Sequence, residues 1–245
     1  MHIIATRWQI PSPPLRASVL STGALGFLGV TGAALLARPW LQLGVMYPGK
    51  AAAFFAAVMV LAAGLIGAHH PFPRFGPANQ VTMMRAMLLA LLASLIGESE
   101  LPHVAAGATA IAVIMTLLDG VDGWLARCSR MASEFGARFD TETDAMLVMA
   151  MSVLVWQHGK AGVWVLLGGL MRYTFIAAGW KLDWMARSLQ PTRRGRVIAI
   201  CHTVGLIVAL APIIPVPLSA SAVAVTLMVL AWSFAVDVGR LWRKE

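Results

Sequence analysis

The stretch that decides the fold is residues 119–144, DGVDGWLARCSRMASEFGARFDTETD. The chain has 11 acidic residues, and six of them lie in this stretch. Carboxylates that lie close together repel each other, and away from bulk water they stay ionised only beside cations. Carboxylate oxygen favours hard cations. The stretch therefore predicts a site for Mg²⁺ or Mn²⁺ whose ligands are its four aspartates, namely Asp119, Asp122, Asp140 and Asp144.

The spacing of the aspartates indicates two neighbouring helices. Asp119 and Asp122 are three residues apart, and Asp140 and Asp144 are four apart, so each pair shares one helix face. We predict a tight, polar turn over 128–139, which makes the two helices antiparallel and places both pairs at one depth. Two ions bridged by a diphosphate fit between such pairs, as in two-metal phosphoryl-transfer sites.

The composition around this stretch is that of a membrane protein. Hydrophobic residues make up 59% and charged residues 12% of the chain, and the mean hydropathy is +0.76. The apolar runs lack the alternation of barrel strands, so they predict helices. We therefore expect an all-α, polytopic transmembrane helical bundle with spans near 17–37, 51–68, 81–97, 102–118, 141–157, 161–180, 197–214 and 218–236.

The distribution of the basic residues predicts the topology. With eight spans and the N-terminus in the cytoplasm, 14 Lys and Arg residues lie inside, and only Arg38, Lys50 and Lys160 lie outside. We expect both termini and the acidic cluster to face the cytoplasm, in a membrane of the bacterial inner-membrane type. The net charge of +8 then reflects topology, and no nucleic acid is expected as a partner.

A polar, proline-containing connector divides the chain near residue 75. We expect residues 1–74 to hold two N-terminal transmembrane helices and residues 75–245 to hold a six-helix core. The core opens with Asn79, Thr82 and Arg85 along one helix. An arginine one turn inside lipid needs a partner or a polar cavity. The alternative is that Asn79 caps the helix and Arg85 extends to the interface.

Glycine and arginine residues accompany the aspartates. Gly123 and Gly136 lack a side chain where a nucleotide or a neighbouring helix could approach the backbone. Arg127 has the geometry to bind a phosphate or to orient a carboxylate. The alternative is a purely structural role, in which the aspartates form a buried salt-bridge network with Arg127, Arg130 and Arg138. This alternative does not explain the glycines.

The residues D-x-x-D-G-x-x-A-R-x₈-G-x-x-x-D-x-x-x-D, from Asp119 to Asp144, resemble the signature of the CDP-alcohol phosphatidyltransferase family at every fixed position. The resemblance covers about residues 75–240 and implies a six-helix core. It also implies an enzyme that displaces CMP from a CDP-linked lipid, such as CDP-diacylglycerol, with the hydroxyl of a small alcohol.

The resemblance further implies residue roles. Asp119, Asp122 and Asp140 would be metal ligands, and Asp144 a ligand and the general base. Gly123, Ala126 and Gly136 would line the nucleotide site, with Asn79 and Thr82 nearby. Two Mg²⁺ or Mn²⁺ ions, a CDP-lipid donor, a small polar alcohol and the bilayer are the expected partners, and a homodimer is an open alternative.

The acceptor alcohol is open at this stage, since glycerol phosphate, inositol or its phosphate, serine and choline all fit. Arg193, Arg194 and Arg196 suit a phosphorylated acceptor. Their alternative role is to set the orientation of the protein in the membrane and to contact anionic lipid headgroups. Two rival functions are an intramembrane prenyltransferase, whose two Asp motifs lie far apart in sequence, and a cation transporter, whose acids lie near mid-membrane.

Overall fold

A computed structural model describes residues 12–182 and 192–242. Within these residues the chain forms helices and no strand, which confirms the all-α prediction. The helices are α1 (Pro13–Trp40), α2 (Tyr47–His69), α3 (Pro77–Ala93), α4 (Pro102–Ser129), α5 (Glu134–Gln157), α6 (Leu166–Gly179, after a 3₁₀ turn at Val163–Val165), α7 (Arg193–Leu210) and α8 (Val216–Trp242).

Four of these helices, namely α1, α2, α4 and α8, are long and apolar enough to cross a membrane. Large apolar side chains are exposed along them, among them Leu28, Leu117 and Met228. Such exposure is expected where lipid replaces water as the solvent. Every predicted span overlaps a described helix, whereas the count of eight spans and the division into six plus two helices stay predictions.

The helix boundaries follow from local sequence. Proline is at or next to the first position of α1, α2, α3 and α4, where its missing N–H costs no intrahelical bond. Thr192 caps α7 by accepting a hydrogen bond from the backbone N–H of Gly195 at 3.1 Å. Helix α4 ends at Ser129, and Arg130 follows in the left-handed conformation at φ 54°.

The predicted turn over 128–139 is wrong in its length. Helix α5 begins at Glu134, because the Ser133 hydroxyl accepts a hydrogen bond from the backbone N–H of Gly136 at 3.0 Å and satisfies one of the free amides of the first turn. The connection between α4 and α5 is therefore only a few residues long, and Asp140 lies in the second turn of α5.

The chain divides into two compact units, one ending at Leu147 and the other beginning at Val148. In the first unit α3 packs against α1, α2 and α4, and its buried face includes Met83, Ala86 and Leu89. The N-terminal helices thus contact the helix that opens the predicted core. The domain boundary near residue 75 stays a prediction.

In the second unit α7 packs against α8, and α6 also contacts α8. Lys160 joins the end of α7 to the loop that follows it, because its Nζ atom donates to the carbonyl oxygens of Ala211 at 3.2 Å and Ile214 at 2.6 Å. These bonds tie the segment before α6 to the loop between α7 and α8.

Candidate active site

Arg85 lies at the centre of the four aspartates. Its side chain is 0% exposed, and its guanidinium forms ion pairs with all four carboxylates. The Nη1 atom lies 2.8 Å from Asp122 Oδ2 and also contacts Asp140. The Nη2 atom lies 3.1 Å from Asp119 Oδ1 and also contacts Asp144. One cation from α3 therefore bridges α4 and α5.

The partners of Arg85 decide between the alternatives drawn from the sequence. The expectation that Arg85 finds partners is confirmed, and its extension to the interface is wrong. Asn79 does not cap α3, since the cap position is Gly76 without a side-chain hydrogen bond. The salt-bridge alternative named the wrong arginines: Arg85 pairs with the aspartates, while Arg138 pairs with Glu134 at 2.5 Å.

The four carboxylates differ in exposure. The Asp122 side chain is 5% exposed, while those of Asp119, Asp140 and Asp144 are 34%, 37% and 47% exposed. Oxygen atoms of these three accessible residues all lie within 4.8 Å of one another. Three convergent, accessible carboxylates are a donor set that fits a hard divalent cation. The structure thus brings the predicted aspartates together, and their roles as ligands stay predictions.

Thr82 and Asn79 lie on the same face of α3 as Arg85. The Thr82 hydroxyl lies 3.2 Å from Asp122 Oδ2, to which it can donate. The Asn79 amide nitrogen donates to the Phe75 carbonyl at 2.5 Å, and Asn79 is buried. Both predicted residues therefore lie beside the acidic cluster, and Thr82 contacts one of its members directly.

The two glycines of the motif have different surroundings. A Cβ atom on Gly136 would lie 2.7 Å from Asn79 Oδ1 and 3.3 Å from Ser133 Oγ, so a close approach of α3 and α5 requires glycine there. At Gly123 the neighbour of such an atom is Arg127 Nη1, at 3.5 Å. Gly123 thus leaves room on α4, and Ala126 and Arg127 follow it in the last turns of that helix.

The connector after α2 contacts the turn between α4 and α5. His70 Nε2 lies 2.8 Å from the Arg74 carbonyl oxygen, which requires this nitrogen to donate. His70 Nδ1 lies 3.0 Å from Ser133 Oγ, and Ser133 accepts from Gly136. A continuous set of hydrogen bonds therefore joins the connector to the first turn of α5.

Aromatic packing surrounds these hydrogen bonds. The ring of Phe135 lies 5.9 Å from the His70 ring and 6.1 Å from the Phe75 ring, centroid to centroid. It also stacks on Phe139 at 5.7 Å. Phe135 is 1% exposed. These contacts fix the start of α5, the helix that carries Asp140 and Asp144.

Sequence reasoning left three contributing residues out of the site, namely Arg85, His70 and Ser133. Arg85 was visible as a charge in an apolar helix in register with Thr82. Ser133 was visible as a small polar residue three positions before Gly136, which is the spacing of a helix cap. No local signal pairs His70 with Ser133, because their contact depends on the packing of distant segments.

The three arginines of α7 belong to the second unit. Arg194 is engaged within it, since its Nη2 atom lies 2.5 Å from Asp237 Oδ1 and its guanidinium carbon lies 5.4 Å from the Trp232 ring centroid. Arg193 and Arg196 instead line a cavity of about 300 Å³ together with Thr192 and Val197. The expectation that these arginines bind the acceptor stays a prediction.

Comparison with known proteins agrees with the motif. Residues 75–236 match the family model described as CDP-alcohol phosphatidyltransferase. No curated protein sequence matches the chain, and no solved structure matches it. The match includes every aspartate of the cluster and the three arginines of α7.

Proposed function

The chain belongs to the CDP-alcohol phosphatidyltransferase family, and from this premise we propose that it transfers a phosphatidyl group from CDP-diacylglycerol to the hydroxyl of a small alcohol and releases CMP. The observation that carries the proposal is the convergence of Asp119, Asp122, Asp140 and Asp144 around one point. A diphosphate donor needs cations at such a point, and four carboxylates supply the ligands for them.

The residues fit two divalent cations. Asp119, Asp140 and Asp144 present oxygens close enough to share an ion, and Asp122 is the fourth carboxylate of the group. When bound, Mg²⁺ or Mn²⁺ would neutralise the charge of the diphosphate and of departing CMP. The two ions, like the identity of the lipid donor, are part of the proposal.

Asp144 is the residue that we propose as general base. The acceptor oxygen forms a bond to the phosphorus that carries the lipid, and the bond from that phosphorus to CMP breaks. The proton of the acceptor hydroxyl passes to a carboxylate. Asp144 is the most exposed of the four side chains, at 47%, so it is the one that a polar alcohol reaches most easily.

The nucleotide is proposed to bind along α4 beside the acidic cluster. Gly123 leaves space on that helix, and the exposed Arg127 offers a guanidinium to a phosphate. Asn79 and Gly136 act by holding α3 and α5 together. Ala126 contributes a small side chain to the same helix.

A phosphorylated alcohol is our proposed acceptor class. Arg193 and Arg196 line a cavity, and guanidinium groups bind phosphate in a bidentate way. Arg194 supports the same helix end through its pair with Asp237. The proposal places the active site on the cytoplasmic side of the membrane, where phosphorylated alcohols are available, and it leaves a homodimer open.

The experiment is a CMP-release assay with the full chain in detergent or lipid nanodiscs. CDP-diacylglycerol is supplied with Mg²⁺ or Mn²⁺ and one alcohol at a time: glycerol phosphate, inositol phosphate, inositol, serine or choline. We expect CMP release with one acceptor class, complete loss with EDTA and recovery when the metal is restored. Asp119→Asn and Asp140→Asn serve as matched inactive variants.

Turnover in metal-free buffer would contradict the metal site. Absence of CMP release with every alcohol would contradict the reaction and favour the prenyltransferase or transporter alternatives.

A further inference from the structure

Arg85 is a charge in a place where a charge is costly. It is 0% exposed, and the buried residues that follow or precede it on α3 include the apolar Met83, Ala86 and Leu89. A buried guanidinium without partners would strongly destabilise the fold. A residue of this kind is tolerated because its interactions with the carboxylates offset the loss of hydration.

The guanidinium contacts the same residues that form the proposed metal site. Asp119, Asp140 and Asp144 are the three residues whose oxygens lie within reach of one ion, and each of them also pairs with Arg85. A cation that coordinates these oxygens must therefore compete with the terminal nitrogens of Arg85.

The charges at the site do not balance. Four carboxylates contact one guanidinium, so the fully ionised cluster has three more negative charges than positive ones. Arg85 therefore lowers the repulsion between α4 and α5 without removing the attraction for a divalent cation. At contact distance in a protein interior, one unit charge changes such an attraction far more than it would in water.

We propose that Arg85 is an internal counter-cation, which holds the four aspartates together in the metal-free protein and which the divalent cations must displace. Arg85 thereby stabilises the metal-free fold and weakens metal affinity. This inference rests on the metal site of the proposed function, and it does not depend on the transfer reaction or on the acceptor.

The test uses Arg85→Met, whose side chain fills a similar apolar volume without the charge, and Arg85→Lys, which keeps the charge but cannot span four carboxylates. Binding of Mn²⁺ to the purified full chain is followed through the loss of the free Mn²⁺ signal in electron paramagnetic resonance. Thermal unfolding of the metal-free and Mn²⁺-bound protein is followed in parallel. Neither readout requires activity.

We expect Arg85→Met to bind Mn²⁺ about tenfold more tightly than the unaltered chain, or tighter still, because a competing positive charge is gone. Its metal-free form should unfold at a lower temperature, and Mn²⁺ should raise the midpoint by more than in the unaltered chain. Arg85→Lys should lie between the two. If Arg85→Met is recovered only when Mn²⁺ is present throughout purification, that result also supports the proposal.

Arg138→Met is the matched control. It also replaces an arginine by methionine, but Arg138 lies on α5 and pairs with Glu134 instead of with the aspartates. Its Mn²⁺ affinity should stay within about twofold, as expected for an exposed pair. The inference is overturned if Arg85→Met binds Mn²⁺ no more tightly than the unaltered chain. If Arg85→Met cannot be recovered at all, an Mn²⁺ affinity of Arg85→Lys equal to that of the unaltered chain overturns it instead. If the unaltered chain binds no Mn²⁺, the proposed metal site itself is refuted.

Discussion

Gly136 of α5 lies so close to Asn79 of α3 that a Cβ atom at position 136 would be 2.7 Å from Asn79 Oδ1. Real Cβ atoms do not approach oxygen so closely, so any larger residue must push the two helices apart or turn Asn79 away. Asn79 is also bonded to the Phe75 carbonyl, which restricts that turn. The contact therefore fixes the distance between the helix that carries Arg85 and the helix that carries Asp140.

We expect Gly136→Ala to lower stability by about 1–3 kcal/mol, the range typical of overpacked sites, and to weaken Mn²⁺ binding because α5 shifts. Thermal unfolding and Mn²⁺ titration measure the two effects. Gly120→Ala is the matched control on α4, since nothing lies within 4 Å of a Cβ atom there. It should leave the unfolding midpoint unchanged or raise it, as alanine favours a helix over glycine. Equal midpoints for the two variants would refute the close-contact argument.

The hydrogen bond between His70 and Ser133 leads to a second prediction. His70→Ala and Ser133→Ala should each destabilise the protein by about 2 kcal/mol, because each side chain makes two hydrogen bonds that contribute about 1 kcal/mol apiece. Because the two side chains contact each other, the double variant should lose less than the sum of the single losses. Thermal unfolding of all four proteins measures this coupling. Strict additivity would mean that the connector does not hold the turn before α5.

The contacts of Gly136, His70 and Arg85 also show what the sequence could and could not predict. The aspartate pairs were predictable because spacings of three and four residues place side chains on one helix face whatever the rest of the chain does. The start of α5 at Glu134 was obscured because its first turn, EFGA, contains a glycine, which is unfavourable inside a helix. A serine three residues before Gly136 was the local signal that predicts the cap.

Arg85 and His70 could not be placed in this way. Arg85 is 37 residues from Asp122 and 59 from Asp144 in the chain, and His70 is 63 residues from Ser133. Helical periodicity specifies which face a residue occupies but not which other helix that face meets. The contacts became visible only when the packing of α3 on α4, and of the connector on the turn, was known.

A third prediction concerns the loop after α3, where Glu98 accepts hydrogen bonds from Lys50 Nζ and from the backbone N–H of Gly44 at 2.6 Å. Burial alone would raise the pKa of Glu98, but these two hydrogen bonds and the charge of Lys50 outweigh it, so the pKa lies below its ordinary value of 4.5. Because the folded-state pKa is lowered, the ionised Glu98 carboxylate stabilises the folded protein fully above about pH 4.5. This stabilisation is lost as the pH falls through the folded-state pKa.

Glu98→Gln should therefore lower the unfolding midpoint at pH 7, and its difference from the unaltered chain should shrink as the pH falls below about 4.5. Thermal unfolding between pH 3 and pH 8 measures this difference. Glu100→Gln is the control, because Glu100 is exposed in the same loop and should change the midpoint little at any pH. A difference for Glu98→Gln that stays constant with pH would contradict the ionic account.

A fourth prediction tests the topology. Cys128 is exposed near the end of α4, next to the turn that we place in the cytoplasm. In Cys201→Ser, Cys128 is the single remaining cysteine. A membrane-impermeant maleimide should label it only after the membrane is opened. Adding Ser99→Cys to a chain that lacks both native cysteines should give labelling in intact cells or spheroplasts. The reverse pattern would invert the predicted threading.

The last prediction separates the roles of the four aspartates. Asp144→Asn should remove most of the rate, since a general base contributes about 10²–10⁴-fold, and should retain more CDP-lipid affinity than the Asp119, Asp122 and Asp140 variants. The reason is exposure: Asp144 is the carboxylate that an alcohol reaches most easily, whereas Asp122 is buried against Arg85 and Thr82. Rate and donor affinity are measured together on the four Asn variants with Mn²⁺ present. Equal loss of donor affinity in all four would make Asp144 chiefly a metal ligand, and near-normal turnover in Asp144→Asn would exclude it as the base.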